Sequence, residues 1–152
     1  MESMREYRYR VDPDGRVFHD GSEVVDPHVL RFFLRAMRRT PDGRWLVVCQ
    51  GEQNWFEAEA TPFVVQRLAL DLRDGRLAAV ELILAGDYRE PLQPATLEVR
   101  DGGLVCRLRS GAPARFGRLA MQQLAPFLLE DAAGPALLLA GVRHPLREPA
   151  AS

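Results

Sequence analysis

The chain has 152 residues, of which 47% are hydrophobic and 27% are charged, and its formal net charge is −1. A chain of this length buries roughly 70% of its unfolded surface, so one domain forms without metal or disulfide cross-links. The balanced charge argues against nucleic acid or a membrane as a partner, and the absence of lysine excludes Schiff-base chemistry and a phosphate-loop lysine.

The two cysteines give no metal signature. Cys49 and Cys106 lie in apolar runs, and the sequence contains neither a CxxC motif nor a Cys–His cluster. We therefore expect free thiols in a reducing compartment and no cofactor. Since the sequence shows neither an apolar signal region nor a run long enough to span a bilayer, we expect a cytoplasmic protein.

Asp-Gly pairs occur five times and are the strongest local signal in the chain. Glycine accepts positive φ without steric cost and Asp bonds to its own turn, so the pair is typical of hairpins. Most pairs separate short runs of β-branched, aromatic or aliphatic residues, which predicts a mostly antiparallel β protein. The pairs are Asp14-Gly15, Asp20-Gly21, Asp42-Gly43, Asp74-Gly75 and Asp101-Gly102.

The N-terminal region predicts a strand and then a helix. Glu6–Val11 alternates polar and apolar residues, as a half-buried strand does. Asp26 suits the N-cap of a helix and Pro27 its first position. An apolar stripe at helical spacing then continues over Leu30–Arg39, which we predict to be helical.

The middle of the chain predicts strands at Arg44–Cys49 and Asn54–Ala60, followed by a long hairpin. The hairpin joins Phe63–Leu72 to Leu77–Ala85. Gly86–Pro94 contains two prolines and is predicted as a loop between two halves of the protein.

The pattern of the first half recurs after this loop. Val99–Cys106 (VRDGGLVC) resembles Val11–Phe18 (VDPDGRVF), and each leads to a helix and an apolar strand. The second helix lies within Ala114–Glu130, where Pro126 must end, kink or restart it. The strand that follows is Ala136–Ala140.

These elements define the expected architecture. The fold class is α+β, predominantly antiparallel β with two helices, arranged as two repeated strand–strand–helix–strand subdomains that share one core. We expect one domain over residues 1–152, with halves of about 5–86 and 95–147 joined by the proline-containing loop.

The densest polar cluster lies just before Thr61-Pro62. Strand alternation puts Trp55 and Glu59 on one face, and Glu52 lies at a hairpin tip. Carboxylates that are close together perform acid–base chemistry when one is buried, but a solvated strand face is the commoner situation. The candidate ligand-binding residues, expected at the rim of a cleft between the halves, are Arg38, Glu52, Asn54, Trp55 and Glu59. We predict no catalytic and no metal-ligating residues.

The order of motifs resembles two families of domains of unknown function, numbered 1285 (bacterial) and 4505 (bacterial and mitochondrial). The resemblance begins at Tyr7–Asp12, continues through the predicted helix and Asp42–Val47, and is sharpest at Glu57–Val64 (EAEATPFV). That segment is similar to the families' strand ending in an acidic-acidic-x-Pro signature, although Ala60 replaces the usual Asp. The resemblance implies a two-subdomain fold with an internal repeat and a ligand-binding or signalling role.

Three functions remain open at this stage. We favour a non-enzymatic module that binds a small molecule or a protein segment between the two repeats, because no complete catalytic set accompanies the polar cluster. The first alternative is a small hydrolase or acid–base enzyme that uses Glu52 or Glu59, with or without a histidine. The second is a dimerising scaffold, which an exposed apolar strand edge such as Arg76–Ala85 would support.

Overall fold

The structure, a computed structural model, describes residues 5–148, so the outermost four residues at each end of the predicted domain lie outside the described residues. The first half consists of three strands, a helix and three further strands. They form one sheet in the order β3-β2-β1-β6-β5-β4, in which β1 and β6 run parallel and the other neighbours antiparallel. The elements are β1 (Arg5–Val11), β2 (Val17–His19), β3 (Ser22–Val24), α1 (Pro27–Ala36), β4 (Arg38–Arg39), β5 (Trp45–Cys49) and β6 (Glu52–Glu57).

Helix α1 begins as predicted and ends early. The side chain of Asp26 accepts a hydrogen bond from the backbone nitrogen of His28 at 2.9 Å, and Pro27 is the first helical residue. The predicted extension to Arg39 is wrong, because the helix stops at Ala36. The chain pairs with β5 as soon as it leaves the helix, and this ladder satisfies backbone groups that another helical turn would have used.

The central part of the chain supplies four strands: β7 (Val64–Val65), β8 (Arg67–Arg73), β9 (Arg76–Leu84) and β10 (Tyr88–Pro91). The predicted long hairpin is confirmed, since β8 and β9 pair in antiparallel fashion. The prediction that Gly86–Pro94 is a loop is wrong in part, because β10 lies within it and pairs with β9. Proline is tolerated in β10 because this strand is at the edge of its sheet.

The second half again has three strands, a helix and three strands. Helix α2 ends before Pro126, as predicted, and a 3₁₀ turn over Ala125–Phe127 follows it. The first three strands form a sheet with β7, and the last three form a sheet of their own. The elements are β11 (Glu98–Arg100), β12 (Gly103–Arg107), β13 (Pro113–Phe116), α2 (Arg118–Leu124), β14 (Leu128–Asp131), β15 (Gly134–Leu139) and β16 (Val142–Pro145).

The two halves close in the same way, which confirms the predicted repeat and extends it. In the first half β1 runs parallel to β6 along its length. In the second half Glu98, on β11, forms a parallel bridge with Arg147, just beyond β16. The backbone nitrogen of Val99 also donates to the Arg147 carbonyl at 2.7 Å. Each half therefore pairs the region of its first strand with the region of its last.

One apolar core is common to both halves. Buried side chains from the first sheet, the central hairpin and the second half form a single cluster, as predicted. It includes Phe33, Val47 and Phe56 from the first half, Leu82 and Leu84 from the hairpin, and Cys106, Phe116, Leu124 and Leu137 from the second half.

Backbone hydrogen bonds join the halves where β7 meets β13. Val64 lies opposite Arg115 in a short parallel ladder. The Arg115 guanidinium donates to the carbonyl of Asp12 at 3.1 Å, so the first Asp-Gly turn is held against the second half. Gly15 fits closely in this turn, because a Cβ there would lie 2.9 Å from the Cβ of Val64.

Helix α2 contributes a second link. The Gln123 amide accepts from the backbone nitrogen of Leu68 at 2.7 Å and donates to its carbonyl at 3.1 Å. The side chain thus bonds to β8 as a neighbouring strand would, and it satisfies both backbone groups of one edge residue.

Candidate functional site

The structure distributes four of the five predicted site residues over both faces of the first sheet. Asn54 and Glu52 alternate with Trp55 along β6 and share the face of Phe56. That face carries helix α1, since the ring of Phe56 packs against that of Phe33 with centroids 5.0 Å apart. Trp55 lies on the opposite face, which we call the outer face.

Arg38 lies on the outer face as well, but at a distance from Trp55. Leu46 of β5 is the Cα partner of both residues. Two strand spacings of about 4.8 Å therefore separate Arg38 from Trp55. The structure therefore places these two predicted residues on one surface, on strands separated by β5.

Asn54 and Glu52 have partners within the protein. Asn54 is buried, and its side-chain amide donates to the carbonyl of Val47 at 3.1 Å. Glu52 accepts from the Tyr7 hydroxyl at 3.4 Å. Burial, and then the negative charge of Glu52, raise the pKa of Tyr9 above its usual value. Asn54 therefore stabilises the sheet, and Glu52 belongs to a tyrosine cluster on the helix side.

Glu59 lies in a bend after the end of β6, and its side chain is exposed. The next residue, Ala60, has φ of 66°, and the backbone nitrogen of Thr61 donates to the Glu59 carbonyl at 2.7 Å. These are the features of a γ-turn with positive φ, a rare and strained conformation for a residue with a side chain. The Thr61 hydroxyl holds the turn in place by donating to the Pro113 carbonyl at 2.7 Å.

A groove of about 320 Å³ lies on the outer face beside Trp55 and the strained turn. The lining residues all come from the first half, whereas the sequence predicted a cleft between the halves. Trp55 is the member of the predicted set that lines the groove. The principal side chains that line the groove are Glu6, Arg8, Arg44, Trp55, Glu57 and Ala60.

Arg44 is held above the indole ring of Trp55. Its guanidinium carbon lies 4.0 Å from the ring centroid, within the range of a cation–π interaction. The Nε group donates to Asp42 at 2.8 Å. The hydroxyl of Thr40 and the guanidinium of Arg44 both lower the pKa of Asp42, so this carboxyl remains charged at neutral pH. Arg44 is therefore positioned before any ligand binds.

The hairpin turn fixes the backbone of the same arginine. Thr40 donates its backbone nitrogen to the Arg44 carbonyl at 2.7 Å, and its hydroxyl accepts from the Arg44 backbone nitrogen at 3.0 Å. The hydroxyl also donates to Asp42. Because Gly43 completes the turn with φ of 88°, the four residues from Thr40 onward direct Arg44 toward the groove.

Sequence reasoning missed Arg44, Glu6 and Arg8. The Asp42-Gly43 pair signalled the turn, but stacking of Arg44 on Trp55 depends on the pairing of β5 with β6. Glu6 and Arg8 reach the groove through the parallel pairing of β1 with β6, which joins segments more than 40 residues apart in the sequence. No local signal reports such a pairing.

Two further findings concern the described part of the chain. Within residues 5–148, no group of three or more His, Cys, Asp or Glu side chains is placed to hold a metal ion. Over the same residues, no helix combines the length and apolar character needed to cross a bilayer.

Fold and groove together define an α+β protein of two repeated units with a ligand-sized depression on its first sheet. No protein-family model matches the chain, and its sequence matches no curated protein. A DUF1285 family protein from Silicibacter pomeroyi DSS-3 has a similar structure, with a TM-score of 0.67 and 16% sequence identity over 95% of this chain and 83% of that one.

A DUF1285 family protein from Shewanella baltica OS155 is also similar. Its TM-score is 0.56 at 10% identity, and the match covers 78% of this chain and 90% of that chain. At these identities the likeness shows a shared fold. The predicted resemblance to family 1285 is thus confirmed at the level of the fold, and the resemblance to family 4505 stays a prediction.

Proposed function

We propose that this protein is a non-enzymatic binding module whose site is the groove on the outer face of the first sheet. The ligand is a small molecule or a short protein segment. The observation that carries the proposal is Arg44 stacked on Trp55 and fixed by Asp42. An aromatic surface beside a pre-oriented guanidinium provides apolar contact and directed hydrogen bonds at low entropic cost.

The strained turn supports the same location. Ala60 lines the groove and has positive φ, a conformation that costs roughly 1–3 kcal/mol for a residue with a side chain. Strain of this kind persists where the surroundings impose it and is common at binding sites. The buried hydroxyl of Thr61 imposes it here.

The acid–base alternative has less geometric support. Glu59 is exposed, and within residues 5–148 its carboxylate has no hydrogen-bond or ion-pair partner. Glu52 has the Tyr7 hydroxyl as a partner but lies on the opposite face of the sheet from the groove. An acid–base site needs two titratable groups within reach of one substrate, and these two carboxylates do not meet that requirement.

The dimerising scaffold gains no support from the strand that the sequence suggested. Strand β9 lies between β8 and β10, so Arg76–Ala85 does not present a free sheet edge. A homodimer formed through another surface stays a prediction.

A thermal-shift screen of metabolites and short peptides tests the proposed function. We expect ligands that raise the melting temperature of the wild-type protein and have no such effect on Trp55→Ala. Phe32→Ala is the matched control, because Phe32 is a partly exposed aromatic residue on α1, away from the groove. A ligand that stabilises all three proteins equally would place the site elsewhere and contradict the proposal.

A further inference from the structure

The charges around the groove are balanced. Two arginines and two glutamates line it: Arg8, Arg44, Glu6 and Glu57. A polyanion would meet two carboxylates as well as two guanidinium groups, which opposes its binding. The lining therefore favours a ligand that carries one charge of each sign.

Two of the four charges remain available to such a ligand. Arg8 and Glu57 face each other with their nearest charged atoms 4.0 Å apart, and they partly neutralise one another. Arg44 uses its Nε group for Asp42, which leaves its terminal Nη groups for a ligand. The Glu6 carboxylate has no hydrogen-bond or ion-pair partner in the described part of the chain.

Both available groups border Trp55. Arg44 stacks on the indole ring. On β1, Arg8 faces Trp55 and Glu6 faces Gln53, which makes Glu6 the diagonal neighbour of Trp55. A group that binds carboxylates and a group that binds ammonium ions thus line one groove beside the same indole.

We propose, building on the function proposed above, that the groove binds a zwitterion of the α-amino-acid type, either a free amino acid or a short peptide. Its carboxylate accepts hydrogen bonds from the Nη groups of Arg44, in the forked geometry that guanidinium favours. Its ammonium group pairs with Glu6. Its side chain packs on Trp55 and Ala58, and an apolar or aromatic side chain suits these surfaces best.

The size of the groove agrees with this class of ligand. A volume of about 320 Å³ is at the small end of the range for ligand pockets, about 300–1,000 Å³. Such a site accommodates one amino-acid residue or a dipeptide better than a cofactor or a folded partner.

Isothermal titration calorimetry with five probes tests the proposal: L-phenylalanine, the dipeptide phenylalanylalanine, N-acetylphenylalanine, phenylalanine amide and inorganic phosphate. We expect measurable binding of L-phenylalanine or of the dipeptide, and the preferred probe of the two identifies the source of the zwitterion. N-acetylphenylalanine lacks the ammonium charge and the amide lacks the carboxylate, so each should bind about tenfold more weakly.

Variants assign the two charges to residues. Glu6→Gln should weaken phenylalanine binding about tenfold without changing N-acetylphenylalanine binding. Arg44→Gln should weaken phenylalanine binding about tenfold without changing the binding of phenylalanine amide. Arg73→Gln is the matched control, since Arg73 also pairs with an Asp two residues earlier but lies at another hairpin. Trp55→Phe keeps an aromatic ring in the groove, so it should retain part of the affinity. This variant therefore distinguishes a loss of ring stacking from a loss of folding.

The outcomes distinguish this inference from the function on which it rests. Equal binding of phenylalanine and its N-acetyl derivative, or binding of phosphate alone, would overturn the zwitterion while leaving a groove ligand in place. Binding of a ligand of another class that depends on Trp55 would likewise overturn the zwitterion and leave a groove ligand in place. If neither these probes nor the metabolite screen yields binding that depends on Trp55, both proposals are wrong.

Discussion

The two halves of this protein share one topology but differ in what they offer to a ligand. Each half runs through three strands, a helix and three strands, and each closes with a parallel contact between its first and last strand regions. In the first half this contact covers six residue pairs, Arg5–Arg10 with Glu52–Glu57. In the second half the parallel pairing is a bridge between Glu98 and Arg147.

The strands of the second half offer no tryptophan like the one in the groove. Gly43 and Gly134 both have positive φ where the chain enters the middle one of the last three strands of each half. On that strand of the first half Leu46 faces Trp55 on the outer face, whereas in the second half Leu137 lies in the common core and faces a histidine, His144.

The residue after each of these glycines differs as well. Arg44 follows Gly43, whereas Pro135 follows Gly134. Proline has no side-chain donor, so the stacked pair cannot form in the second half.

A different kind of depression lies between the two halves. This groove of about 500 Å³ is formed by the tip of the central hairpin, which belongs to the first half, and the last three strands, and its lining is largely aliphatic and aromatic, including Phe127, Leu129 and Leu138. The comparison teaches that the shared topology fixes where strands meet, while a few side chains at matched positions decide what each surface can bind.

The largest expected effect is a difference in the free energy of unfolding between glycine variants of two corresponding turns, one in each half. Gly15 and Gly102 each follow an Asp in the turn after the first strand of their half, and both have φ near +80°. A Cβ at Gly15 would lie 2.9 Å from Val64 and 3.1 Å from Gln66, whereas a Cβ at Gly102 would meet nothing within 4 Å. We expect Gly15→Ala to lower the free energy of unfolding by about 3 kcal/mol and Gly102→Ala by about 1 kcal/mol.

Urea denaturation of the two variants measures this difference. Equal losses of stability would show that the first turn does not pack against the second half as described, and the asymmetry between the halves would lose its main structural evidence.

The next effect concerns the link from α2 to the central hairpin. Gln123→Met removes both hydrogen bonds to the backbone of Leu68, and we expect the free energy of unfolding to fall by about 2 kcal/mol. Gln122→Met is the control, because Gln122 is exposed on the same helix. Hydrogen exchange at the Leu68 amide should accelerate in the first variant only, and unchanged exchange there would contradict the link.

The smallest effect uses the two cysteines, one in each half. Cys106 is buried, and burial, with a lesser contribution from Glu90, raises the pKa of its thiol to about 12. An unfolded thiol ionises near pH 8.5. As the pH rises, the unfolded state therefore loses the thiol proton before the folded state does. The stability that the protonated thiol contributes to the folded state is complete below pH 8.5 and is lost as the pH rises toward about 12.

We expect this thiol to cost about 1 kcal/mol of stability at pH 9.5 relative to pH 8. Cys106→Ala should show a shallower alkaline decline in melting temperature than the wild-type protein, and Cys49→Ala, in the partly exposed position, should retain the wild-type slope. Parallel slopes for all three proteins would show that Cys106 is not shielded from solvent.

Local chemistry predicted much of the fold. The three pairs Asp20-Gly21, Asp74-Gly75 and Asp101-Gly102 have positive φ at both residues, as two-residue hairpin turns require. The Asp26 cap and Pro126 likewise set the start of α1 and the end of α2. These features were predictable because each depends on a few adjacent residues.

The site was harder to predict because it depends on distant pairings. Trp55 was identified, but its neighbours Glu6 and Arg8 reach it through the parallel β1–β6 ladder. Asn54 was predicted at a rim and is buried instead, since strand alternation fixes which residues share a face but not which face packs on the helix. Nothing in the sequence around Ala60 indicates its positive φ, which follows from the anchoring of Thr61.

The most direct test of the central claim observes both tryptophans at once. The chain contains two, and they occupy different environments: Trp55 is half-buried beneath the guanidinium of Arg44, while Trp45, which also lines the groove, is buried and packs on Phe63 with ring centroids 5.6 Å apart. In ¹⁵N-labelled protein titrated with a ligand from the screen, we predict that the indole N–H resonance of Trp55 shifts in proportion to occupancy and that the resonance of Trp45 shifts less, because its ring is buried. A saturating shift of resonances around His144, with Trp55 unchanged, would contradict the assignment of the binding site to the first half.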